Sequence, residues 1–309
     1  MTLALLCSGQ GRQHPDMFAL TGDVVAAAPL FAHVATLLGG RDPRALVRTA
    51  DAQALHHNRN GQILCALAAL AACTALADFL PAQRIAAGYS VGEVAAWSVA
   101  GAFGRIDTLD LVARRAALMD AASTPGDGLV YLRGLPRDVV EALARRAGAA
   151  IAITNPGDRY VIGGTRSALD AVRSGALAMK AAQVLPLPVE VAAHTGRLAG
   201  ATSAFRVVLN EYPSRLPPAS VRLLSGIDAA PVLDLTDGLD KLAAQISQTV
   251  SWAACLRACV EAGATAFLEL GPGHALSDMT RSALPSLRSR CLEDFATMEG
   301  VERWIAEVA

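Results

Sequence analysis

Charge is scarce in this chain. Charged residues fill 18% of the 309 positions against 53% hydrophobic, and the formal net charge is −1. So apolar a chain can bury a large core, which excludes a disordered polyelectrolyte. The near-zero balance removes any global pull toward nucleic acid or an anionic membrane. Arg41, Arg44 and Arg48 make one local basic patch that could meet an acidic partner, although a solvated face explains it more simply. No basic segment followed by a long apolar stretch opens the sequence, so residues 1–7 read as a first strand and not as a signal peptide. Residues 63–77 are nearly all apolar, but the run falls short of the roughly 18 residues of a membrane span. Asp78 and Pro81 close it, and it reads as a buried helix. The six cysteines (Cys7, Cys65, Cys73, Cys255, Cys259 and Cys291) form no C-x-x-C pair and have no metal-like company. Reduced thiols and a soluble, cytoplasmic protein without bound metal are expected. No internal repeat or low-complexity tract is present.

Against these absences one short motif stands out. Gly88-Tyr89-Ser90-Val91-Gly92 matches G-x-S-x-G, between a strand-like stretch at 84–87 and a helix-like one from Glu93 onward. A serine on a tight strand-to-helix turn is lifted out of the sheet with its hydroxyl exposed. The glycines permit a turn that side chains would obstruct. The helix start behind Ser90 favours developing negative charge, and the Val91 N–H is aimed where an oxyanion would form.

The rest of the chain supplies a frame. Strand-like and helical segments alternate in the first part: a strand at 3–7, a tight Gly9-Gln10-Gly11 loop, helical stretches at 15–20, 29–38 and 62–80, then the serine turn and helices through 122. Pro125-Gly126-Asp127-Gly128 marks a boundary. Beyond it the order is strand (129–132), helix (136–146), two strands (150–154 and 160–162) around the Asn155-Pro156-Gly157-Asp158 turn, helix (167–173) and strand (182–187). This βαββαβ order is ferredoxin-like. The expected fold is α/β: a hydrolase-like parallel-sheet domain, residues 1–126 and 189–309, with an inserted small subdomain at 127–188. Helical stretches at 194–211 and 238–262 and a buried strand at 266–270 complete the large unit. That strand ends in Gly271-Pro272-Gly273, at the strand end where open α/β sheets bind ligands.

A serine hydroxyl needs a base near neutral pH. His194 and His274 both follow the serine turn, and spacing alone does not choose between them. No aspartate or glutamate stands out as a third member. A backbone carbonyl would suffice, because that member only fixes the imidazole's tautomer and orientation. Leu109, Val112, Ala116 and Met119 form an apolar stripe at helical spacing. Arg115 falls at its edge while Arg114 points away, so Arg115 is the candidate to hold a carboxylate.

Together these pieces resemble the malonyl-CoA:acyl-carrier-protein transacylase family over nearly the whole chain. The residues that carry the resemblance are Gly9-Gln10-Gly11, Gly88-Tyr89-Ser90-Val91-Gly92-Glu93, Arg115 four before Met119, Asn155-Pro156-Gly157, His194, Gln245 to Trp252, and Glu269 to Gly273. The resemblance implies that Ser90 is acylated and that His194 is the base and then the acid. Gln10 and the Val91 N–H would form the oxyanion hole, and Arg115 would pair with the malonyl carboxylate. Gln245, Tyr89 and Asn155 would support the site. It also implies no bound cofactor, malonyl-CoA as donor, and the phosphopantetheine-type arm of an acyl carrier protein as acceptor. Tyr89 stands where the family has histidine, Val91 for leucine, Thr195 for serine or cysteine, and Cys7-Ser8 for Phe-Pro. With the run from Cys7 to Pro15, these departures resemble the malonate decarboxylase epsilon subunit, which would add that complex's subunits as partners. The alternatives are a free-standing transacylase of fatty acid or polyketide synthesis, an esterase, and an inactive carrier-docking module.

Overall fold

The computed structural model describes residues 2–308. Nine strands occur among them: β1 Thr2–Cys7, β2 Arg84–Gly88, β3 Asp127–Arg133, β4 Ala150–Asn155, β5 Arg159–Thr165, β6 Gln183–Pro186, β7 Val221–Leu223, β8 Ala264–Leu270 and β9 Arg288–Cys291. Five build a wholly parallel sheet in the order β7-β2-β1-β8-β9. Parallel strands covered by helices on both faces need no polar face. Accordingly, Leu3, Ala4, Leu5, Leu6 and Cys7 of β1 are all fully buried. β1 lies between β2 and β8, so the loops after these three strands emerge side by side at the carboxyl edge. In such sheets that edge is the place where ligands bind.

The other four strands form an antiparallel sheet, β4-β5-β3-β6, with the helices Arg137–Ala147 and Arg166–Ala178. This is the ferredoxin-like order read from the sequence. Strand alternation gives the sheet two faces. Val130, Leu132, Tyr160 and Ile162 pack with Val140, Leu143 and Val172 into a small apolar core of their own. Leu129, Tyr131, Arg133, Arg159 and Val161, the residues in between, face the cleft toward the large sheet.

Three expected helices differ. Residues 15–20 form successive turns, with Met17 N–H donating to His14 O and Ala19 N–H to Asp16 O, which carry Met17 and Phe18 into the core. The stretch 194–211 becomes helical only from 196, its α-helix being Ala199–Leu209, because His194 has a positive φ of 62°. The stretch 238–262 is two helices, Leu235–Ala244 and Trp252–Glu261, with a break between them. Val250 causes the break by adding onto β4: its N–H donates to Ala152 O, and its carbonyl accepts Thr154 N–H, both at 2.9 Å. The edge-side strands β7 and β9 are three and four residues long, too short for their alternation to stand out in the sequence.

Candidate active site

Ser90 sits between β2 and the helix Val91–Val99 at φ 57°, ψ −122°. Close packing forces this turn. A Cβ on Gly88 would come within 2.2 Å of the Gly92 backbone, and one on Gly92 within 2.1 Å of the Cys7 carbonyl oxygen. Only glycine fits at either position. The Gly92 and Glu93 N–H groups donate to Tyr89 O and Ser90 O. The Val91 N–H is the first of the helix, one residue after Ser90, so it has no carbonyl a turn behind it to bond.

His194 and Ser90, 104 residues apart in sequence, meet with Nε2 and Oγ at 2.7 Å. Nδ1–H donates to the Gln245 carbonyl at 2.6 Å, and the His194 backbone N–H donates to Ile246 O at 2.8 Å. Both carbonyls are free to accept because the helix ends at Ala244. Burial, and then the Arg115 charge, hold the His194 imidazole down at about 3, so it is neutral near pH 7. A neutral imidazole with Nδ1–H committed to a carbonyl presents a basic Nε2 to the hydroxyl. His274 is exposed, at the start of the helix Ala275–Ala283, and is not the partner.

Gln245 links this pair to Arg115. Its Nε2 donates to Ser90 O at 3.0 Å and to Glu93 Oε2 at 2.6 Å, and its Oε1 accepts from Arg115 Nη2 at 3.1 Å. Arg115 Nη1 donates to Gln62 Oε1 at 2.6 Å. Arg115 is 1% exposed, its Nε has no partner, and no carboxylate lies within ion-pair distance among the described residues. Burial pulls it down to about 10, with the Glu93 charge opposing. It remains a cation at neutral pH, held by the Gln62 and Gln245 amides, and is not among the residues that line the cleft. Arg114 points outward and pairs with Glu211, as its helical phase predicts.

The cleft itself is about 440 Å³ and lies between the two sheets. Gln10, Tyr89, Ser90, Asn155 and His194 all line it. The Gln10 side-chain Nε2 donates weakly to Asn58 Oδ1 at 3.4 Å, and its Oε1 is buried without a partner. Tyr89 stacks edge-on against Trp252, with ring centroids 5.5 Å apart. Burial raises its phenol, and contact with Asn155 opposes that rise. Asn155 Oδ1 is buried without a partner. No cluster of possible metal ligands occurs among the described residues.

Sequence reasoning gave no role to three polar residues of the site, of which Glu93 and Glu269 entered only as motif letters. Gln62 is buried in the polar first turns of the helix Asn58–Ala75, just before its apolar run, and a buried amide there was the available signal. Glu269, fully buried at the end of β8, accepts from Ser8 Oγ at 2.7 Å and from the Leu276 and Ser277 N–H groups at 3.2 and 2.8 Å. It thereby ties the loop that carries Gln10 to the helix Ala275–Ala283.

The fold and this geometry define an acyl-transfer centre, and the chain belongs to the acyl transferase domain family, which it matches over residues 6–308. It is an acyltransferase. Among similar proteins, the malonyl CoA-acyl carrier protein transacylase of Haemophilus influenzae is 26% identical over 313 residues, covering 98% of each chain. The protein of the same name from Mycobacterium bovis is 29% identical over 303 residues, covering 96% of this chain and 98% of its own. The acyl-carrier-protein S-malonyltransferase of Burkholderia pseudomallei superposes with a TM-score of 0.90 at 29% identity, over 98% of this chain and 100% of that one. No helix among the described residues is long and apolar enough to cross a membrane.

Proposed function

We propose that the protein moves a malonyl group from malonyl-CoA to the phosphopantetheine-type thiol of an acyl carrier protein through an acyl-serine. One observation carries this reading. Gln245 joins a hydroxyl–imidazole pair to a buried guanidinium that has no carboxylate of its own. An esterase of simple acyl chains would have no use for such a cation, whose burial without an anion costs several kcal/mol by order of magnitude. A half-thioester with a free carboxylate supplies the anion.

In the first half-reaction Ser90 Oγ attacks the thioester carbonyl while His194 Nε2 takes its proton. The Val91 N–H and Gln10 stabilise the oxyanion. The tetrahedral species collapses with cleavage of the C–S bond, and His194 returns the proton to the departing CoA sulfur. The carrier's thiol then attacks the acyl-serine by the same steps in reverse, and His194 hands the proton back to Ser90. Arg115 pairs with the carboxylate through both halves, its buried guanidinium opening toward the cleft from beside the Gln62 amide as malonyl binds. Tyr89 and Asn155 line the acyl side of the cleft.

The relatives named above are transacylases of acyl carrier proteins, which favours a free-standing transacylase over the malonate decarboxylase setting. The latter rests only on the departures at Tyr89, Val91, Thr195 and Cys7-Ser8 and on the run from Cys7 to Pro15. We read residues 127–188 as an inserted unit, supported by its separate apolar core.

Intact mass after mixing with malonyl-CoA tests the function. A lasting malonyl adduct, absent in Ser90→Ala, is expected, followed by its transfer to a carrier. A fatty acid carrier and a malonate decarboxylase carrier, offered side by side, separate the two settings. Rapid release of free acid would indicate an esterase instead, and no adduct with any thioester would indicate a docking module.

A further inference from the structure

Glu93 takes no part in the steps above, yet it is a carboxylate 1% exposed, three residues after Ser90 in the first turn of Val91–Val99. Carboxylates are almost never so buried unless they are paired. Its Oε2 accepts Gln245 Nε2–H at 2.6 Å, and the Gly226 N–H also donates to it. The backbone at 226 approaches so closely that a Cβ there would lie 2.4 Å from Oε2. The other N–H of the Gln245 amide donates to Ser90 O at 3.0 Å. Both donors of the amide are thus engaged, and its one acceptor faces Arg115 Nη2 at 3.1 Å.

A carboxamide has a donor end and an acceptor end that a half-turn exchanges, whereas a carboxylate, the form Glu93 takes above about pH 7, only accepts. With Glu93 in place, the half-turned amide would set oxygen against the Glu93 and Ser90 oxygens, and NH2 against the guanidinium. All three contacts would fail together. Charge acts in the same direction. Glu93 is the acid whose field opposes the loss of the Arg115 proton, and Arg115 in turn favours the Glu93 carboxylate.

We infer that Glu93 is a positioning residue for acyl selectivity: it fixes the orientation of the Gln245 amide, and that amide holds Arg115 aimed at the acyl carboxylate. The inference rests on the proposed pairing of Arg115 with malonyl. The path to His194 differs in kind, since His194 is held by the Gln245 backbone carbonyl, which a turn of the side chain leaves in place. An error at Glu93 should therefore reach the carboxylate far more than the base.

The test compares Ser90 acylation by malonyl-CoA and acetyl-CoA in wild type, Glu93→Gln, Gln245→Ala and the double variant, with thermal melting alongside. Glu93→Gln is near-isosteric and should lower kcat/KM for malonyl about tenfold while moving acetyl less than about twofold. In the Gln245→Ala background the same change should add less than about twofold, because its route is gone. Gly226→Ala displaces the carboxylate from the other side without removing charge, and should lower the same malonyl-to-acetyl ratio even if Glu93→Gln folds poorly. Equal losses for both donors, a ratio unchanged in both Glu93→Gln and Gly226→Ala, or a full tenfold loss in the Gln245→Ala background would overturn the inference. A wild-type protein that forms no malonyl adduct would instead defeat the function on which it rests.

Discussion

The two sides of the cleft are built on opposite plans. On the large-sheet side Ser90, His194, Gln245, Arg115 and Glu93 form one chain of hydrogen bonds in which Gln245 alone touches all the others. On the small-sheet side the wall is mostly side chains such as Leu129, Ile153, Val161 and Leu185, with Arg133 and Arg159 among them. A buried polar network is satisfied or broken as a unit, because an unpaired group has no water to turn to. An apolar wall yields by degrees as side chains repack. Chemistry is therefore concentrated on one side and fit on the other, and substitutions should have steep effects on the first and graded ones on the second.

The largest effect tests whether the network holds the base. His194→Ala should slow Ser90 acylation by about a thousandfold, and His274→Ala by less than about twofold, read in single-turnover assays. Comparable losses would erase the distinction between the network and its surroundings. Next comes Arg115→Ala, expected to cost about a hundredfold in kcat/KM for malonyl-CoA and only a few-fold for acetyl-CoA. Equal losses would make the guanidinium a buried packing element and not a reader of substrate.

The smallest effect concerns pH. Burial raises both Glu93 and Glu269 from 4.5 to about 7, each drawn back by the donors around it. Between these values the native state keeps protons that the unfolded chain has released, so the stability present below pH 4.5 is lost as pH climbs through 7. His194, held from 6.5 down to about 3, acts in the opposite sense and costs stability as pH falls between those values. Two carboxylates outweigh one imidazole from 4.5 to 6.5, and above 6.5 the carboxylates act alone. Glu269→Gln should thus narrow the difference in melting temperature between pH 5 and pH 8 by roughly 3 °C, whatever its absolute stability. An unchanged difference would show that this carboxylate does not titrate across that window.

Much of this was legible in the sequence, because it is local. The glycines around Ser90 declare a turn, and the order of segments from 129 to 187, with the Asn155–Asp158 turn, declares a ferredoxin-like unit. What spacing could not supply was the choice between His194 and His274. That choice depends on the helix break after Ala244, which arises because Val250 is drawn onto β4, about a hundred residues earlier in the chain. The residues at 238–262 carry a helical pattern on both sides of the break, so nothing local announces it. Glu93 and Gln62 escaped for a related reason. Each is a buried polar residue in the opening turns of a helix, and its meaning comes only from the partner that another segment brings to it.

Ser90 and His194 share one trait besides their contact: both have left-handed φ values, 57° and 62°, a region that side-chain-bearing residues enter only when their surroundings compel it. Glycine would occupy either position at less conformational cost. The two residues proposed to perform the reaction are thus among the five side-chain-bearing positions, with Asp158, Lys180 and Ala229, at which the described chain takes a positive φ. At these positions evolution toward a sturdier molecule and evolution toward a working one run in opposite directions.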